Sequence, residues 1–412
     1  MHRNDSRIDS ELRDIVRAGD DRDCVDAAVP SWVVAPTREE HVMALLRMAA
    51  DERRTLICVG GRTSTCVGNR PRSFDVALDT RSLDQIVERR SEDMTITVQA
   101  GVTIESVAAE LMSSGQRIAW DPDVPECATV GGVLATNSTG GLAHAFGQPR
   151  DLILGMTVID GHARRLRLGG HVVKNVAGYD LVRLFTGSHG SLGVITEATL
   201  RTHPIPQAAS TMHVRFGDPE SLDTARKALF ASQLPLAALD FEMRTVGTSR
   251  TWSLCLRVEG SSHEVDVQRD RIRGLCGSTI DEDGGSWRSP VHADDGVVVR
   301  AGVAPDDAIA LACDLERTCR GLVRIGGRLG DGTLRVSAHH GELDDEATFV
   351  DHVRSTAHRY DGVAVFETMR STLKRGRSVW DENGIPIALM REIKSRFDPH
   401  SLLAPGRFVG EI

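Results

Sequence analysis

The sequence predicts an α+β protein built from two lobes, and three observations carry that expectation. At 412 residues the chain is too long for one compact core, since domains usually take roughly 100–200 residues. Up to about residue 206, short β-branched runs alternate with a few helical stretches and glycine-rich turns, without the even βαβ alternation of a doubly wound sheet. Beyond His203-Pro204-Ile205-Pro206, where two prolines restrict the backbone, longer charged helical patterns take over and read as a mixed α/β lobe.

The elements follow in order. Arg38–Asp51 reads as a helix with Thr37 as its N-cap, because a hydroxyl there can accept a bond from an unpaired first-turn N–H. Thr55–Val59 is an apolar, β-branched strand that stops at Gly60-Gly61. Met94–Val98 is a second strand; it meets Gly101 and leads to an amphipathic helix from Ile104 to Met112. Asp151–Ile159 and Val194–Leu200 are further strands. A short helix from Asp180 should end at Gly187, which can take the left-handed conformation past a helix end. In the second lobe Thr333–Ala338 is strand-like.

Composition excludes several classes of function. Hydrophobic residues at 41% and charged residues at 26% are ordinary, which removes disordered, collagen-like and coiled-coil chains. A net charge of −9 and only 4% aromatic residues argue against nucleic acid, which needs clustered cations or stacking platforms. The 8 cysteines are scattered with no C-x-x-C pair, as expected for reduced thiols in a cytoplasm rather than a disulfide framework or zinc site. The start, MHRNDSRIDSELRDIVRAGDD, lacks the apolar core of a signal peptide. No apolar run approaches the ~18–20 residues of a membrane span. The expectation is a soluble, cytoplasmic protein with no transmembrane segment, compatible with peripheral attachment through a partner.

The 39 glycines cluster in three segments. The first is Gly60-Gly61-Arg62-Thr63-Ser64-Thr65. Glycines let the backbone approach a ligand so that N–H groups converge on an anion, and the hydroxyls add donors. It is neither a Walker loop nor a G-x-G-x-x-G fingerprint, and a plain strand–loop turn is the alternative. The second, Thr129–Gly141, has four glycines among small hydroxyl and amide residues. It suits backbone packed against a flat or phosphorylated ligand, or else a structural hairpin. The third runs Lys174–Leu181 and Gly187–Glu197. Three such segments in one lobe suit a long, bent, anionic cofactor held mainly by backbone.

These residues resemble the FAD-binding lobe of the vanillyl-alcohol-oxidase/PCMH flavoprotein superfamily. The runs Val130–Gly141, Arg150–Gly155, Val172–Leu181 and Gly187–Glu197 match its 2-hydroxyacid branch, and the nearest likeness is to the E-type FAD-binding subunits of glycolate oxidase. The terminal Arg396–Phe408, with its Asp398-Pro399 and Pro405-Gly406-Arg407, is similar to the closing motif of that branch. The resemblance implies a PCMH-type FAD-binding domain of two α+β subdomains plus an α/β cap with an antiparallel sheet. Its domains are a 1–26 extension, the FAD-binding domain 27–206, a cap 207–372, and a segment 373–412 returning to the FAD-binding domain.

The same resemblance implies the cofactor-binding positions. Gly60, Gly61, Arg62, Thr63 and Ser64 fall on the pyrophosphate loop; Thr129, Gly131, Gly132, Thr136, Asn137 and Ser138 on the segment along the diphosphate and isoalloxazine. Val194 and Ile195 fall on the adenine side, and Arg407 on a C-terminal basic position. Arg62 stands where covalent members carry a flavin-linked histidine, which implies non-covalent FAD. Arg328 and Arg335 stand in place of two metal-binding histidines of a His-x-Gly-x-Gly-Asn-x-His pattern, and arginine neither ligates a metal nor acts as a base at neutral pH. No metal is therefore expected. His339, His340 and Arg328 are the candidate catalytic residues. Arg328, Arg335, Arg370, Lys374 and Arg407 are candidate partners for a carboxylate, each with a solvated surface charge as the alternative, and Trp380 reads as core.

The function expected is an FAD-dependent oxidoreductase acting on the CH–OH group of a small 2-hydroxy acid of glycolate or D-lactate type. The alternative is a non-catalytic or electron-relaying FAD subunit beside a catalytic flavoprotein and an iron–sulfur subunit. A molybdenum-hydroxylase flavin subunit and a nicotinamide-linked Rossmann enzyme fit less well, the latter because its fingerprint is missing.

Overall fold

The computed structural model describes residues 11–170, 179–246, 249–277, 280–282, 296–319, 323–343 and 345–412. The chain forms two units. The first takes in the chain up to Ser138, then Gln148–Pro204 and Lys374–Ile412; the second takes in Thr139–Gly147 and Ile205–Leu373.

The first unit has two principal sheets. One runs in the order Val16–Ala18, Trp32–Val34, Val76–Asp79 and Leu56–Val59, with the last three strands parallel. The Glu39–Glu52 helix buries Val42, Leu45, Leu46 and Ala49 in the same cluster as Leu56, Val76 and Leu78. Four residues spaced in this way bring one stripe of the helix to the core. Thr37 is not its cap: the cap position is Arg38, without a side-chain bond, because the Thr37 hydroxyl lies 3.5 Å from His41 Nδ1 instead. The other sheet is antiparallel, in the order Ile86–Arg90, Thr95–Gln99, Gly193–Arg201, Ile153–Asp160 and Arg165–Gly169. Asp151 and Leu152 belong to a short Pro149–Leu152 helix rather than to the strand, since Pro149 presets the first helical turn. The Ile104–Met112 helix is capped by Thr103.

The second unit is an eight-stranded antiparallel sheet. Its order is Ile280–Glu282, Ala208–Phe216, Ser249–Gly260, Leu236–Val246, Arg324–Arg328, Thr333–His339, Gly296–Gly302 and Val363–Thr368. Strand side chains alternate between faces. One face is apolar, with Val214, Leu254, Phe241, Ile325, Val336, Val299 and Phe366 buried, and the helices Pro219–Ala231, Ser262–Cys276, Ala308–Thr318 and Glu346–His358 pack on the sheet. The opposite face is polar. Glu242, Gly326, Arg335 and Arg300 stand side by side across four strands of it.

Candidate functional site

The Leu56–Val59 strand is buried in the parallel sheet and delivers the chain to Gly60 and Gly61. A Cβ on Gly60 would lie 2.4 Å from Thr129 Oγ1, and one on Gly61 only 1.7 Å from the Cys127 carbonyl oxygen. The first and second glycine segments therefore meet where no side chain fits. Arg62 then turns the backbone left-handed (φ 62°), a conformation that tilts successive N–H groups toward one side. Its guanidinium reaches back to Asp23 Oδ1 at 3.1 Å. Among the described residues no acceptor takes the N–H groups of residues 61–66, and Val67 is the next to close a backbone bond, onto Ser64 O at 3.1 Å. This is a loop of unspent donors, with Thr63 and Ser64 in it.

The second segment is neither hairpin nor extended stretch. Val130–Thr136 is a helix, capped by Thr129, whose buried hydroxyl accepts from Gly132 N at 3.2 Å. It ends at Asn137 in the left-handed conformation (φ 50°), and Ser138 N bonds back to Val133 O at 3.1 Å. Packing explains why a glycine-rich run is helical: a Cβ on Gly131 would stand 2.7 Å from Ala100 Cβ, so the glycine lets the helix lie against that strand end. Thr136 Oγ1 donates to Gly132 O at 2.8 Å, and Asn137 Nδ2 to Gln148 Oε1 at 2.7 Å.

Of the third segment, residues 174–178 lie outside the described residues. The Leu181–Phe185 helix is capped by Asp180, and Gly187 follows with φ 80°. Gly187 N donates to Leu134 O (2.9 Å) and His189 N to Ala135 O (2.8 Å), which ties this segment to the second. Val194 and Ile195 open the Gly193–Arg201 strand with buried side chains, so only their main-chain groups are available to a ligand. The second segment is thus in direct contact with both the first and the third. A cleft of about 790 Å³ opens beside them, lined by Gly61, Gly101, Thr103, Glu126, Cys127 and Thr129.

Lys374 and Arg407 are not surface charges. Both are buried within the first unit and bonded to Asp26. Desolvation draws both cations below their ordinary pKa values, against the pull of Asp26. Trp380 is buried as expected and donates through Nε1 to Arg407 O at 2.8 Å; its ring stands edge-on to His189 at 4.8 Å. Sequence reasoning passes over Asp26, whose positive φ and distant partners leave no local signal.

In the second unit the three candidate catalytic residues do not form one group. Arg328 Nε donates to Asp331 Oδ2 (3.0 Å) and its Nη1 to Thr139 O (3.1 Å). His340 leaves the strand for a short 3₁₀ turn and pairs through Nδ1 with Glu346 at 2.9 Å, a carboxylate that Arg370 also approaches at 3.2 Å. His339 ends its strand opposite Gly296, half-buried. What the sheet register does assemble is Arg335 and Arg300 about Glu367, at 2.8 and 3.4 Å. Burial opposes ionisation of Glu367, but the guanidinium groups of Arg335, Arg300 and Arg328 outweigh it and hold its carboxyl below the ordinary value. Glu367 and Arg300 carry no motif; only strand register brings them to Arg335.

Residues 30–179 match the FAD binding domain family. The chain is 24% identical to glycolate oxidase subunit GlcD of Bacillus subtilis over 422 aligned positions, covering 92% of this chain and 89% of that one. It is 31% identical to glycolate oxidase subunit GlcE of Escherichia coli over 236 positions, 57% of this chain and 64% of the relative. D-2-hydroxyglutarate dehydrogenase of Xanthomonas citri is 26% identical, with 97% and 94% covered. Among solved structures, alkyldihydroxyacetonephosphate synthase superposes with a TM-score of 0.69 at 19% identity, over 92% of this chain and 76% of that one, a likeness of fold.

Proposed function

From the premise that this chain carries the FAD-binding domain of the PCMH-type flavoproteins, we propose that it oxidises a small 2-hydroxy acid, of the glycolate or D-lactate kind, with non-covalently held FAD. The observation that carries the reading is a glycine loop, packed against the second glycine segment and through it linked to the third, whose N–H groups at 61–66 have no acceptor among the described residues. Oriented amides supply the local positive field that a diphosphate needs, even in a chain of net charge −9. Gly60, Gly61, Arg62, Thr63 and Ser64 would hold the diphosphate, with Thr129, Gly131, Gly132, Thr136, Asn137 and Ser138 beside it and the main chain of Val194 and Ile195 on the adenine side. When bound, FAD supplies the hydride acceptor.

For the acid itself, the polar sheet face offers Arg300, Arg335 and Arg328 with Glu367 as their shared counter-ion. Arg300 and Arg335 against the Glu367 carboxylate leave a positive excess suited to a substrate carboxylate, while Arg328 is also paired with Asp331. Relatives named for glycolate, D-lactate and D-2-hydroxyglutarate, all 2-hydroxy acids, support this substrate class. The test is anaerobic mixing of the flavin-loaded chain with a panel of 2-hydroxy acids. At least one should bleach the flavin absorbance, and a panel without effect would sink the proposal.

A second reading is favoured by one observation: the candidate catalytic residues do not form one group, His340 facing Glu346 and Arg328, which cannot act as a base, paired with Asp331. Together with the likeness to an E-type subunit, it supports a flavin subunit that relays electrons beside a catalytic flavoprotein and an iron–sulfur subunit. Full turnover by the isolated chain excludes it.

A further inference from the structure

Beneath the donor loop two buried cations share one carboxylate. Lys374 Nζ donates to Asp26 Oδ1 (2.5 Å) and to the carbonyls of Cys66 (2.7 Å) and Gly68 (3.0 Å). Arg407 donates through Nη1 to Asp26 Oδ2 (3.0 Å) and through Nη2 to the carbonyls of Thr65 (2.7 Å) and Val67 (2.8 Å). Four consecutive carbonyls, 65 to 68, are therefore taken alternately by two side chains from the C-terminal stretch. A trans peptide is planar, with its N–H opposite its C=O, so anchoring the carbonyls of Thr65 and Val67 turns the N–H groups of Cys66 and Gly68 the other way. Surface salt bridges gain little from such an arrangement, but these groups are out of water: the Lys374 side chain is 0% exposed and that of Asp26 6%. Two cations against one carboxylate also leave a positive charge beneath the loop, of the sign an anion requires.

We propose that Asp26, Lys374 and Arg407 act as a clamp that fixes the 61–68 loop for the diphosphate of FAD, making them positioning residues for cofactor retention. The inference rests on the FAD reading above. It adds that the C-terminal segment, through its bonds to the loop's carbonyls, sets the affinity.

The test uses the full chain and the variants Lys374→Met and Arg407→Lys, with Lys394→Met as a comparison. Lys394 is equally buried and bonds the carbonyls of Ser191 (2.6 Å) and Leu403 (2.8 Å), none of them in the loop. The first readout is amide exchange of Val67 and Asn69 in FAD-free protein, where these N–H groups bond Ser64 O and Arg407 O. The second is the Kd for FAD. Beyond what each variant's loss of global stability accounts for, Lys374→Met and Arg407→Lys should speed that exchange about tenfold or more and weaken FAD binding about tenfold or more, while Lys394→Met, corrected in the same way, does neither beyond about twofold. The clamp is overturned if either readout in the two clamp variants matches that of Lys394→Met. Should Lys374→Met not fold, Arg407→Lys, which keeps the charge but loses the fork, is judged by the same two criteria. A wild-type chain that takes up no FAD overturns the cofactor reading, and the exchange readout, made without FAD, then decides the clamp.

Discussion

Gly61 packs against the backbone of Cys127, just ahead of the second glycine segment, and Gly61→Ala probes that contact directly. The added Cβ would lie 1.7 Å from the Cys127 carbonyl oxygen and 2.6 Å from its carbon. Both are backbone atoms, so no rotamer change clears them, and reaching an ordinary separation of about 3.5 Å needs a shift of about 2 Å in one segment. Overpacking costs about 1–3 kcal/mol, and a clash with backbone belongs at the upper end. At about 2–4 °C per kcal/mol for a unit of this size, Tm should fall by about 6–12 °C. A loop displaced this far also forfeits on the order of one charge-assisted hydrogen bond to the diphosphate, about 1.5–3 kcal/mol. That corresponds to FAD binding weaker by about 10- to 100-fold. Thermal unfolding of FAD-free protein and titration of FAD by its fluorescence measure the two effects. Gly170→Ala is the control, because a Cβ there meets nothing within 4 Å. If Gly61→Ala matches Gly170→Ala in both, that contact is refuted.

Lys394→Met leaves Asp398 buried with its ammonium partner (2.6 Å) gone, which should cost about 3–5 kcal/mol in urea unfolding; a loss below about 1 kcal/mol would contradict a buried pair. Glu367 has a folded-state pKa below its ordinary value, so it adds stability above that value and loses it as the pH falls through the folded one. Glu367→Gln should therefore flatten the acid side of the stability curve below about pH 5, and an acid limb as steep as the wild type's counts against the Arg335–Glu367–Arg300 cluster.

Local elements with strong punctuation are legible in the sequence. The Ile104–Met112 helix is one, because Thr103 caps it and Ile104, Val107 and Leu111 repeat on one buried face. The halt of the Leu56–Val59 strand at Gly60-Gly61 is another. The Val130–Thr136 helix is not legible, since glycine and β-branched residues disfavour helix intrinsically and the decision rests on the Thr129 cap and the fit of Gly131 against Ala100. Composition gives no way to tell a buried cation from a solvated one. Lys374 and Arg407 owe their burial to Asp26, some 350 residues earlier, and to carbonyls of residues 65–68. The glycine segments can be picked out from the sequence, but the second unit's polar face cannot: Arg300, Arg335 and Glu367 meet only through antiparallel register.

A backbone-built FAD site with no covalent link rests on Arg62, which bonds Asp23 and which the sequence resemblance aligns with the flavin-linked histidine of covalent members. The most direct measurement is the visible spectrum of the purified chain, reconstituted with FAD and desalted, before and after acid precipitation. A bound flavin spectrum and a yellow supernatant over a colourless pellet are expected. Desalted protein without flavin absorbance would contradict the site, and a yellow pellet would contradict its non-covalent character.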